Sequence, residues 1–214
     1  SIVVDDLGIY YDATTASRLE ALIAGAHHDA ALQRSRALQQ RWRDARLSKY
    51  NHAREIAPPL RGDYALVIDQ TFGDASIGYG LADANRFRDM LQAALDEHPG
   101  LPVLLKVHPD VIAGRKRGHF EGLSAGAASR VTVLASEAHA PALLERAAAV
   151  YVVTSQLGFE ALLWQRPVRC FGMPFYAGWG LTRDQLARPD RRNVNGAVSF
   201  DALVDAALVQ YPRY

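Results

Sequence analysis

Short aliphatic runs alternate with helical stretches through most of the chain, and this alternation limits the possible folds more than any other feature. After the Pro58-Pro59 pair, strand-like runs occupy residues 64–68, 103–107, 131–134, 150–153 and 168–171, and helical patterns occupy residues 83–97, 141–148 and 158–164. Continuous apolar strands separated by helices are typical of a parallel sheet covered on both faces. The sequence therefore predicts an α/β fold built on a Rossmann-like parallel sheet.

Further helices are predicted on either side of this alternation. Residues 16–24 and 29–47 place apolar side chains at three- and four-residue spacing between arginines and glutamines, as amphipathic helices do. A last helix is predicted over residues 200–210. The chain has neither an internal repeat nor a low-complexity tract. One main domain is the simplest interpretation.

Charge and cysteine content exclude several classes of function. The number of lysines and arginines (24) nearly equals the number of aspartates and glutamates (23). The chain therefore has no overall positive electrostatic field that would attract a nucleic acid, and we expect no nucleic-acid partner. The single cysteine, Cys170, excludes an internal disulfide and a cysteine-based zinc site, and it suits the reducing cytoplasm. The apolar runs are too short to span a bilayer, and the chain opens on Ser1 within a strand-like run. We therefore expect a cytoplasmic fragment, peripheral to a membrane at most.

Polar residues follow each predicted strand, where ligands bind in open parallel sheets. The first cluster, residues 69–76, contains Gln70, Thr71, Asp74 and Ser76. Asp74 lies beyond a glycine, and a carboxylate there is suited to attack an anomeric carbon or to accept a proton. The alternative is that Asp74 or Asp83 caps the helix beginning near residue 83.

The second cluster combines histidine and lysine after the next strand. It comprises Lys106, His108 and Pro109, followed by a glycine-flanked basic run at residues 115–117. Lysine and histidine together can neutralise a phosphate or carboxylate, and proline fixes the backbone so that the imidazole points one way. The alternatives are a structural histidine and a solvated basic loop.

The third cluster leads from a strand into a helix through two hydroxyls. Thr154, Ser155 and Gln156 would place hydroxyls and backbone amides where a phosphate binds, and Glu160 would lie one turn further on, where an acidic residue can bind a ribose. An ordinary Ser/Thr N-cap would use the same residues.

The fourth cluster places aromatic rings on a glycine-containing loop, residues 171–182. Tyr176 and Trp179 are candidates for stacking on a base or a sugar, and we favour this interpretation because Trp179 stands between glycines. The alternative is that these rings fill the side of the core.

Five motifs in this order resemble the KpsC-type capsule-polysaccharide β-Kdo transferases, from Ser1 to about Arg192. The motifs are Gly8-Ile9-Tyr10-Tyr11-Asp12-Ala13-Thr14, Asp69-Gln70-Thr71 with Gly73-Asp74, His108-Pro109-Asp110 with Lys116 and Gly118-His119, Thr154-Ser155-Gln156 with Gly158-Phe159-Glu160, and Tyr176-Ala177-Gly178-Trp179-Gly180. The resemblance implies a GT-B-like enzyme with two Rossmann-like lobes. It assigns residues 58–214 to the lobe that binds the nucleotide-sugar donor, and residues 1–57 to the tail of the acceptor lobe with its linking helices.

The resemblance also implies the reaction and its participants. The donor would be CMP-β-Kdo, used without a metal or cofactor, and the acceptor would be the phospholipid-linked poly-Kdo linker of capsular polysaccharide. Further partners would be the missing acceptor lobe or a second module of the same protein, and a capsule assembly and export complex at the inner membrane.

The resemblance implies roles for individual residues as well. Retention of configuration would make Asp74 the nucleophile, with Asp69 the competing candidate. His108, Ser155 and the helix start at Gln156 would offset the charge of the leaving phosphate. Lys116 or His119 would pair with the carboxylate of Kdo.

Two other functions remain open from the sequence. A sugar-nucleotide epimerase would use the carboxylates and histidine for proton transfer, although the Gln-Thr and aromatic-glycine motifs argue against it. A non-catalytic nucleotide-sugar binding or export-accessory module would keep the fold without turnover.

Overall fold

A six-stranded parallel sheet forms the centre of the molecule in the computed structural model, which describes residues 2–53, 55–120, 129–194 and 196–213. The strand order is β4-β3-β2-β5-β6-β7, and every neighbouring pair is parallel. These strands are β2 (Tyr64–Ile68), β3 (Val103–Lys106), β4 (Val131–Leu134), β5 (Ala147–Val152), β6 (Val168–Cys170) and β7 (Arg183–Asp184). The predicted α/β class and parallel sheet are confirmed.

Helices cover both faces of this sheet. They are α1 (Arg18–Ala24), α2 (Asp29–Asp44), α3 (Ala75–Tyr79), α4 (Asn85–Glu97), α5 (Pro109–Ile112), α6 (Ala140–Leu144), α7 (Leu157–Leu163) and α8 (Phe200–Val204), with a 3-10 turn at Asp190–Arg192 and a π-helical segment at Asp205–Gln210. Apolar residues of α4 pack with one face, whereas residues of α1, α6, α7 and α8 pack with the other.

Buried apolar side chains explain why the central strands form. All five residues of β2 are buried, and alternate residues point to the two faces, so that Leu66 joins one apolar cluster and Val67 joins the other. A strand that is covered on both faces has a continuous run of apolar residues, and for this reason β2 was predicted correctly from the sequence.

Two predicted helices end earlier in the structure than expected, and one short helix was not predicted. The helix expected over residues 29–47 ends at Asp44, and the helix expected over residues 141–148 ends at Leu144, because the alanines from Ala147 onward pair with β2 as part of β5. The short helix α3 was not predicted. It begins directly after Asp74, which caps it.

The first 57 residues pack against the same core as the sheet. Leu19 and Ile23 of α1 are buried in the apolar cluster that also contains Leu66 and Val150, and Trp42 of α2 packs against it. Two terminal strands, β1 (Ile2–Val3) and β8 (Pro212–Arg213), pair antiparallel. The division of the chain at residues 57 and 58 stays a prediction.

Within the described residues, no helix combines the length and the apolar character needed to cross a membrane.

Candidate functional site

A cavity of about 650 Å³ opens at the carboxyl ends of the parallel strands. Strand order reverses between β2 and β5, because β3 and β4 follow on one side of β2 while β5, β6 and β7 lie on the other. This reversal is the place where open α/β sheets bind ligands. Of the residues predicted from sequence, the cavity is lined by Asp69, Gln70, Asp74, Ser76, Lys106, His108, Arg115, Thr154, Ser155, Gln156 and Glu160.

Asp74 stands half-buried on the cavity wall, immediately before α3. Its Oδ1 accepts a hydrogen bond from the Ser76 backbone N–H at 2.9 Å, which makes Asp74 the N-cap of α3. Its Oδ2 lies 3.4 Å from Nε2 of Gln70. The predicted capping role is therefore real, although the helix capped is α3 and not the one near residue 83. Because the carboxylate also faces the cavity, the cap and a chemical role are compatible.

Gln70 ties together the ends of the two strands at the reversal. Its Nε2 donates to Thr154 Oγ1 at 2.9 Å, and its Oε1 accepts from the Thr154 backbone N–H at 2.9 Å. Ser76 Oγ lies 3.0 Å from Thr154 Oγ1. These mutual bonds hold the rim of the cavity beside Asp74 in a fixed arrangement.

Basic side chains line the part of the cavity that follows β3. His108 Nδ1 accepts a hydrogen bond from the Asp110 backbone N–H at 3.2 Å, so the proton of the neutral ring lies on Nε2. Burial lowers the pKa of His108, and nearby lysines lower it further against the opposing effect of Asp110. Burial also lowers the pKa of Lys106. Arg115 lines the same region and lies 3.6 Å from Asp110.

Ser155 and Gln156 lead from β5 into α7. Ser155 Oγ accepts from the Leu157 backbone N–H at 3.3 Å, so the alternative capping role holds in part, while Gln156 makes no side-chain cap. Gly158, in the first turn of α7, leaves room for Tyr176, because a Cβ at this position would lie 2.3 Å from the Tyr176 hydroxyl. The close packing of Tyr176 therefore requires a glycine at position 158.

Glu160 lies on the inner side of α7 and is almost fully buried. Its Oε1 accepts from the Lys49 backbone N–H at 3.1 Å, and its Oε2 has no partner within the described residues. Burial raises the pKa of Glu160, although the nearby Ser48 hydroxyl and the bond from the Lys49 N–H oppose the shift. An unpaired buried oxygen beside a cavity is suited to accept a hydrogen bond from a ligand.

The prediction that Tyr176 and Trp179 stack on a ligand is wrong. Both rings are buried, and neither lines the cavity. Tyr176 donates its hydroxyl to the Ser155 carbonyl, and Trp179 Nε1 donates to the Phe175 carbonyl at 2.8 Å. They fill the core, and the loop instead presents Pro174 and Phe175 to the cavity.

His119 is also placed away from the cavity, contrary to its predicted role as a partner of a sugar carboxylate. Its ring stacks on Phe87 with centroids 3.6 Å apart, and Nδ1 lies 3.3 Å from Asp69 Oδ1. The same Asp69 oxygen accepts from the backbone N–H groups of Gln70 and His119. Asp69 also lines the cavity, but it is 3% exposed and its Oδ1 is taken by these bonds, so the more exposed Asp74 is the better placed of the two carboxylates.

Two other predicted residues, Thr71 and Lys116, do not line the cavity. Thr71 is buried, and its carbonyl accepts from the Asp74 N–H at 3.2 Å. Lys116 is exposed and does not line the cavity, so the structure does not support direct pairing with a sugar carboxylate. Pro109 begins α5, and its side chain lies outside the described residues.

Sequence reasoning missed the part of the wall that comes from the first 57 residues. Tyr10, Tyr11, Lys49, Tyr50 and His52 all line the cavity. The paired tyrosines stood in a recognised motif, but no strand-end position marked them. Lys49, Tyr50 and His52 follow α2 on an exposed segment, and nothing in their spacing shows that this segment folds over the sheet edge.

No group of three or more His, Cys, Asp or Glu side chains is arranged to hold a metal ion in the part of the chain that the structure describes. The expectation that the site uses no metal or cofactor stays a prediction.

A parallel sheet with a polar cavity at its strand reversal defines the class of Rossmann-like α/β proteins that bind ligands at this edge. The family model described as capsule polysaccharide biosynthesis protein matches residues 23–214. The chain belongs to this capsule polysaccharide biosynthesis family, and the resemblance seen in the five motifs is confirmed.

Curated relatives share its sequence over the whole chain. The capsule polysaccharide modification protein LipA of Neisseria meningitidis serogroup B is 44% identical over 230 residues, covering 100% of this chain and 32% of LipA. The lipopolysaccharide-processing protein LpsZ of Rhizobium meliloti is 37% identical, covering 100% of this chain and 49% of LpsZ. The chain therefore spans about a third of the length of LipA and about half of the length of LpsZ.

Two solved structures share its fold. The beta Kdo 2,4 transferase of Thermosulfurimonas dismutans KpsC matches with a TM-score of 0.89 and 41% identity, over 99% of this chain and 66% of that chain. The beta Kdo 2,7 transferase of the same KpsC matches with a TM-score of 0.73 and 30% identity, over 98% and 63%. The structural neighbours of this chain are thus Kdo transferases.

Proposed function

We propose that this chain is the donor-binding lobe of a GT-B-like retaining glycosyltransferase that transfers Kdo from CMP-β-Kdo to the phospholipid-linked poly-Kdo linker of capsular polysaccharide. The observation that carries the proposal is the cavity at the strand reversal, where the Asp74 carboxylate, the basic side chains of Lys106 and Arg115 and the imidazole of His108 line one space. The likeness to Kdo transferases supports it.

The basic part of the cavity would bind the phosphate of CMP. His108 presents Nε2–H as a donor because Nδ1 is occupied, and its lowered pKa keeps the ring neutral at neutral pH. The Nζ of Lys106 makes no hydrogen bond within the described residues and lines the cavity, so this ammonium is available to an anion. These donors would stabilise the charge that grows on the phosphate as the sugar leaves.

Glu160 would bind the ribose of CMP. Its unpaired Oε2 is an acceptor without a donor, and ribose hydroxyls supply donors. Filling this position would remove the cost of leaving a buried oxygen unsatisfied.

Asp74 would act as the nucleophile in two displacements. In the first, a carboxylate oxygen bonds to the anomeric carbon while the bond from that carbon to the CMP phosphate oxygen breaks. In the second, the oxygen of the acceptor hydroxyl takes the place of Asp74, and the hydroxyl proton is released. Two inversions give net retention.

The other participants are part of the same proposal. The donor reaction needs no cofactor, and the acceptor is a glycolipid. Because the chain spans less than half of its curated relatives' length, an acceptor lobe or a second module of the complete gene product would supply the remaining surface. We place the enzyme in the cytoplasm, peripheral to the inner membrane and beside the capsule assembly and export complex.

Calorimetric titration with CMP tests the ligand, with UMP, UDP and NADH as controls. We expect selective CMP binding that weakens in Ser155→Ala and in Glu160→Ala. Removing one hydrogen-bonding partner should reduce affinity by about tenfold. A folded protein that binds no CMP would contradict the proposed donor.

Substitution of Asp74 tests the chemistry in the complete gene product. Asp74→Asn keeps an N-cap for α3 but lacks a nucleophilic carboxylate, so transfer should fall by several orders of magnitude without a loss of stability. Asp74→Ala should lose the cap as well and cost about 1 kcal/mol. Undiminished transfer by Asp74→Asn rules out this nucleophile. Products of the wild-type reaction separate transfer from epimerisation, and an absence of any turnover indicates a binding module.

A further inference from the structure

Gln70 is almost fully buried in the cavity wall, and its backbone is fixed there by two neighbours. Its N–H donates to Asp69 Oδ1 at 2.9 Å, and its carbonyl oxygen lies 3.0 Å from Nδ1 of His119. A carbonyl oxygen only accepts, so His119 Nδ1 carries the proton of this bond. Asp69 and His119, which have no part in the proposed reaction, therefore hold the backbone from which the Gln70 side chain extends.

The backbone of Thr154 determines which way the Gln70 amide faces. A backbone N–H only donates, so the Gln70 atom that lies 2.9 Å from the Thr154 nitrogen is the oxygen, Oε1. The amide nitrogen Nε2 then lies on the other side, 2.9 Å from Thr154 Oγ1 and 3.4 Å from Asp74 Oδ2. Because Nε2 carries two N–H groups, it can donate to both oxygens.

Both oxygens of the Asp74 carboxylate therefore have a donor beside them. Oδ1 accepts from the Ser76 backbone N–H, and Oδ2 faces Gln70 Nε2. An ionised carboxylate has about four lone-pair sites, so two such contacts fix its rotation and leave sites free for a ligand. A reacting group that is oriented in advance lowers the barrier to reaction.

The charge of this carboxylate changes during the proposed double displacement. It is consumed when Asp74 bonds to the anomeric carbon. It returns when the acceptor oxygen bonds to that carbon: the bond from the carbon to Asp74 breaks, its electron pair stays on the carboxylate, and the hydroxyl proton of the acceptor passes to water. A buried N–H donor beside Oδ2 stabilises the returning charge more than it stabilises the neutral ester.

We propose that Gln70 is a positioning residue of the transfer reaction, which orients the Asp74 carboxylate and stabilises it as the sugar passes to the acceptor. This inference rests on the proposed function, because it needs Asp74 as the nucleophile. It assigns Gln70 to the second displacement and not to binding of the nucleotide.

Two variants of the complete gene product test this role. Gln70→Glu keeps an oxygen for the Thr154 N–H but replaces the donor with a carboxylate that repels Asp74. Gln70→Met keeps the approximate size of the side chain without the amide and without a charge. We expect kcat to fall by about tenfold or more in both variants, whereas the dissociation constant of CMP in Gln70→Met should change by less than about twofold.

Intact-mass spectrometry during turnover gives a second readout. Loss of the donor slows the second displacement more than the first, so a larger fraction of each variant than of the wild type should carry one covalently bound sugar. Thermal unfolding shows whether each variant is folded, and if one is not, the other decides.

Gln92→Glu provides the matched control. Gln92 donates to Asp96 Oδ1 at 2.8 Å with the same four-residue spacing, but this pair is exposed on α4 and does not line the cavity. This variant should keep the wild-type kcat.

Undiminished kcat in a folded Gln70 variant, or no gain in covalently bound sugar, contradicts the inference while the proposed function stands. If Gln70→Met weakens CMP binding as much as it lowers kcat, Gln70 binds the donor and the inference is wrong. If Asp74→Asn keeps its transfer activity, or the wild type transfers no sugar, the proposed function fails and the inference fails with it.

Discussion

Glu160 lies one turn into α7, where one of its carboxylate oxygens is bonded and the other is not. The sequence predicted its approximate depth in the helix, because one turn after a strand end is a simple distance along the chain. The absence of a partner for Oε2 was not predictable, because it depends on how residues 48–49 pack against the Glu160 carboxylate in the folded protein. The unpaired oxygen makes Glu160 costly for the empty protein and useful for a bound one.

The pH dependence of stability should reveal this cost. Because burial raises the pKa of Glu160, the stabilisation from its protonated form is present below the unfolded-state pKa and is lost as pH rises through the folded-state pKa. Glu160→Gln removes the buried charge, so it should unfold at a higher temperature than the wild type near about pH 8, with the difference shrinking toward about pH 4.

Thermal unfolding across that pH range measures the effect, and calorimetry should show weaker CMP binding by the same variant. A gain in stability that is equal at both ends of the range would mean that the ionisation of Glu160 is not its source. Asp63→Asn serves as the exposed control, since Asp63 does not line the cavity, and it should show no such pH dependence.

At the scale of elements, a buried ion pair between Arg192 and Glu20 stabilises the glycine-containing loop of residues 171–182 on the side away from the cavity. Arg192, which is 1% exposed, donates to Glu20 of α1 at 2.6 Å and to the carbonyls of Pro174 and Ala177 at 2.8 Å each. Its guanidinium also lies over the ring of Trp179. This contact joins the N-terminal helix to the loop that presents Pro174 and Phe175 to the cavity.

Glu20→Ala should therefore destabilise the protein strongly. It leaves the buried Arg192 charge without its carboxylate and removes the capping box of α1, so the expected cost is about 3–5 kcal/mol. Urea denaturation measures it. Glu145→Ala is the matched control, because the pair of Glu145 with Arg46 is exposed and should be worth at most about 1 kcal/mol. Equal effects of the two changes would show that burial of the Arg192 pair is not decisive.

Element prediction succeeded where the pattern was long and failed where it was local. The central strands were found because a run such as residues 64–68 is apolar throughout. The helix α3 was missed because five residues containing Gly78 carry no helical pattern, and the alanines at 147–149 suit a helix and a strand equally. Trp179 was misplaced because its ring is turned inward by a hydrogen bond to the Phe175 carbonyl and by packing against Arg192, and flanking glycines do not reveal these contacts.

At the scale of the whole molecule, the two ends of the described chain are tied together. Besides the pairing of β1 with β8, the Tyr211 hydroxyl donates to Asp5 Oδ2 at 2.8 Å, and the Tyr211 ring packs edge-on against Tyr10. Burial and the neighbouring Asp5 raise the pKa of Tyr211, so its hydroxyl remains a donor at neutral pH. Tyr10 also lines the cavity, so the contacts between the two ends of the chain extend to the cavity wall.

Tyr211→Phe should cost about 1 kcal/mol, because it removes one hydrogen bond and keeps the ring. Tyr211→Ala should cost about 3 kcal/mol or more, because it also removes the packing against Tyr10. Chemical denaturation measures both changes. CMP affinity should fall in Tyr211→Ala alone, and an equal fall in Tyr211→Phe would show that the ring does not position Tyr10.

The antiparallel pairing of β1 and β8 also has a mechanical consequence. Ile2 lies opposite Arg213, so the chain enters and leaves this body at one place. A force that separates β1 from β8 would also pull on the Asp5–Tyr211 hydrogen bond, and through the Tyr211 ring it would reach Tyr10 on the cavity wall.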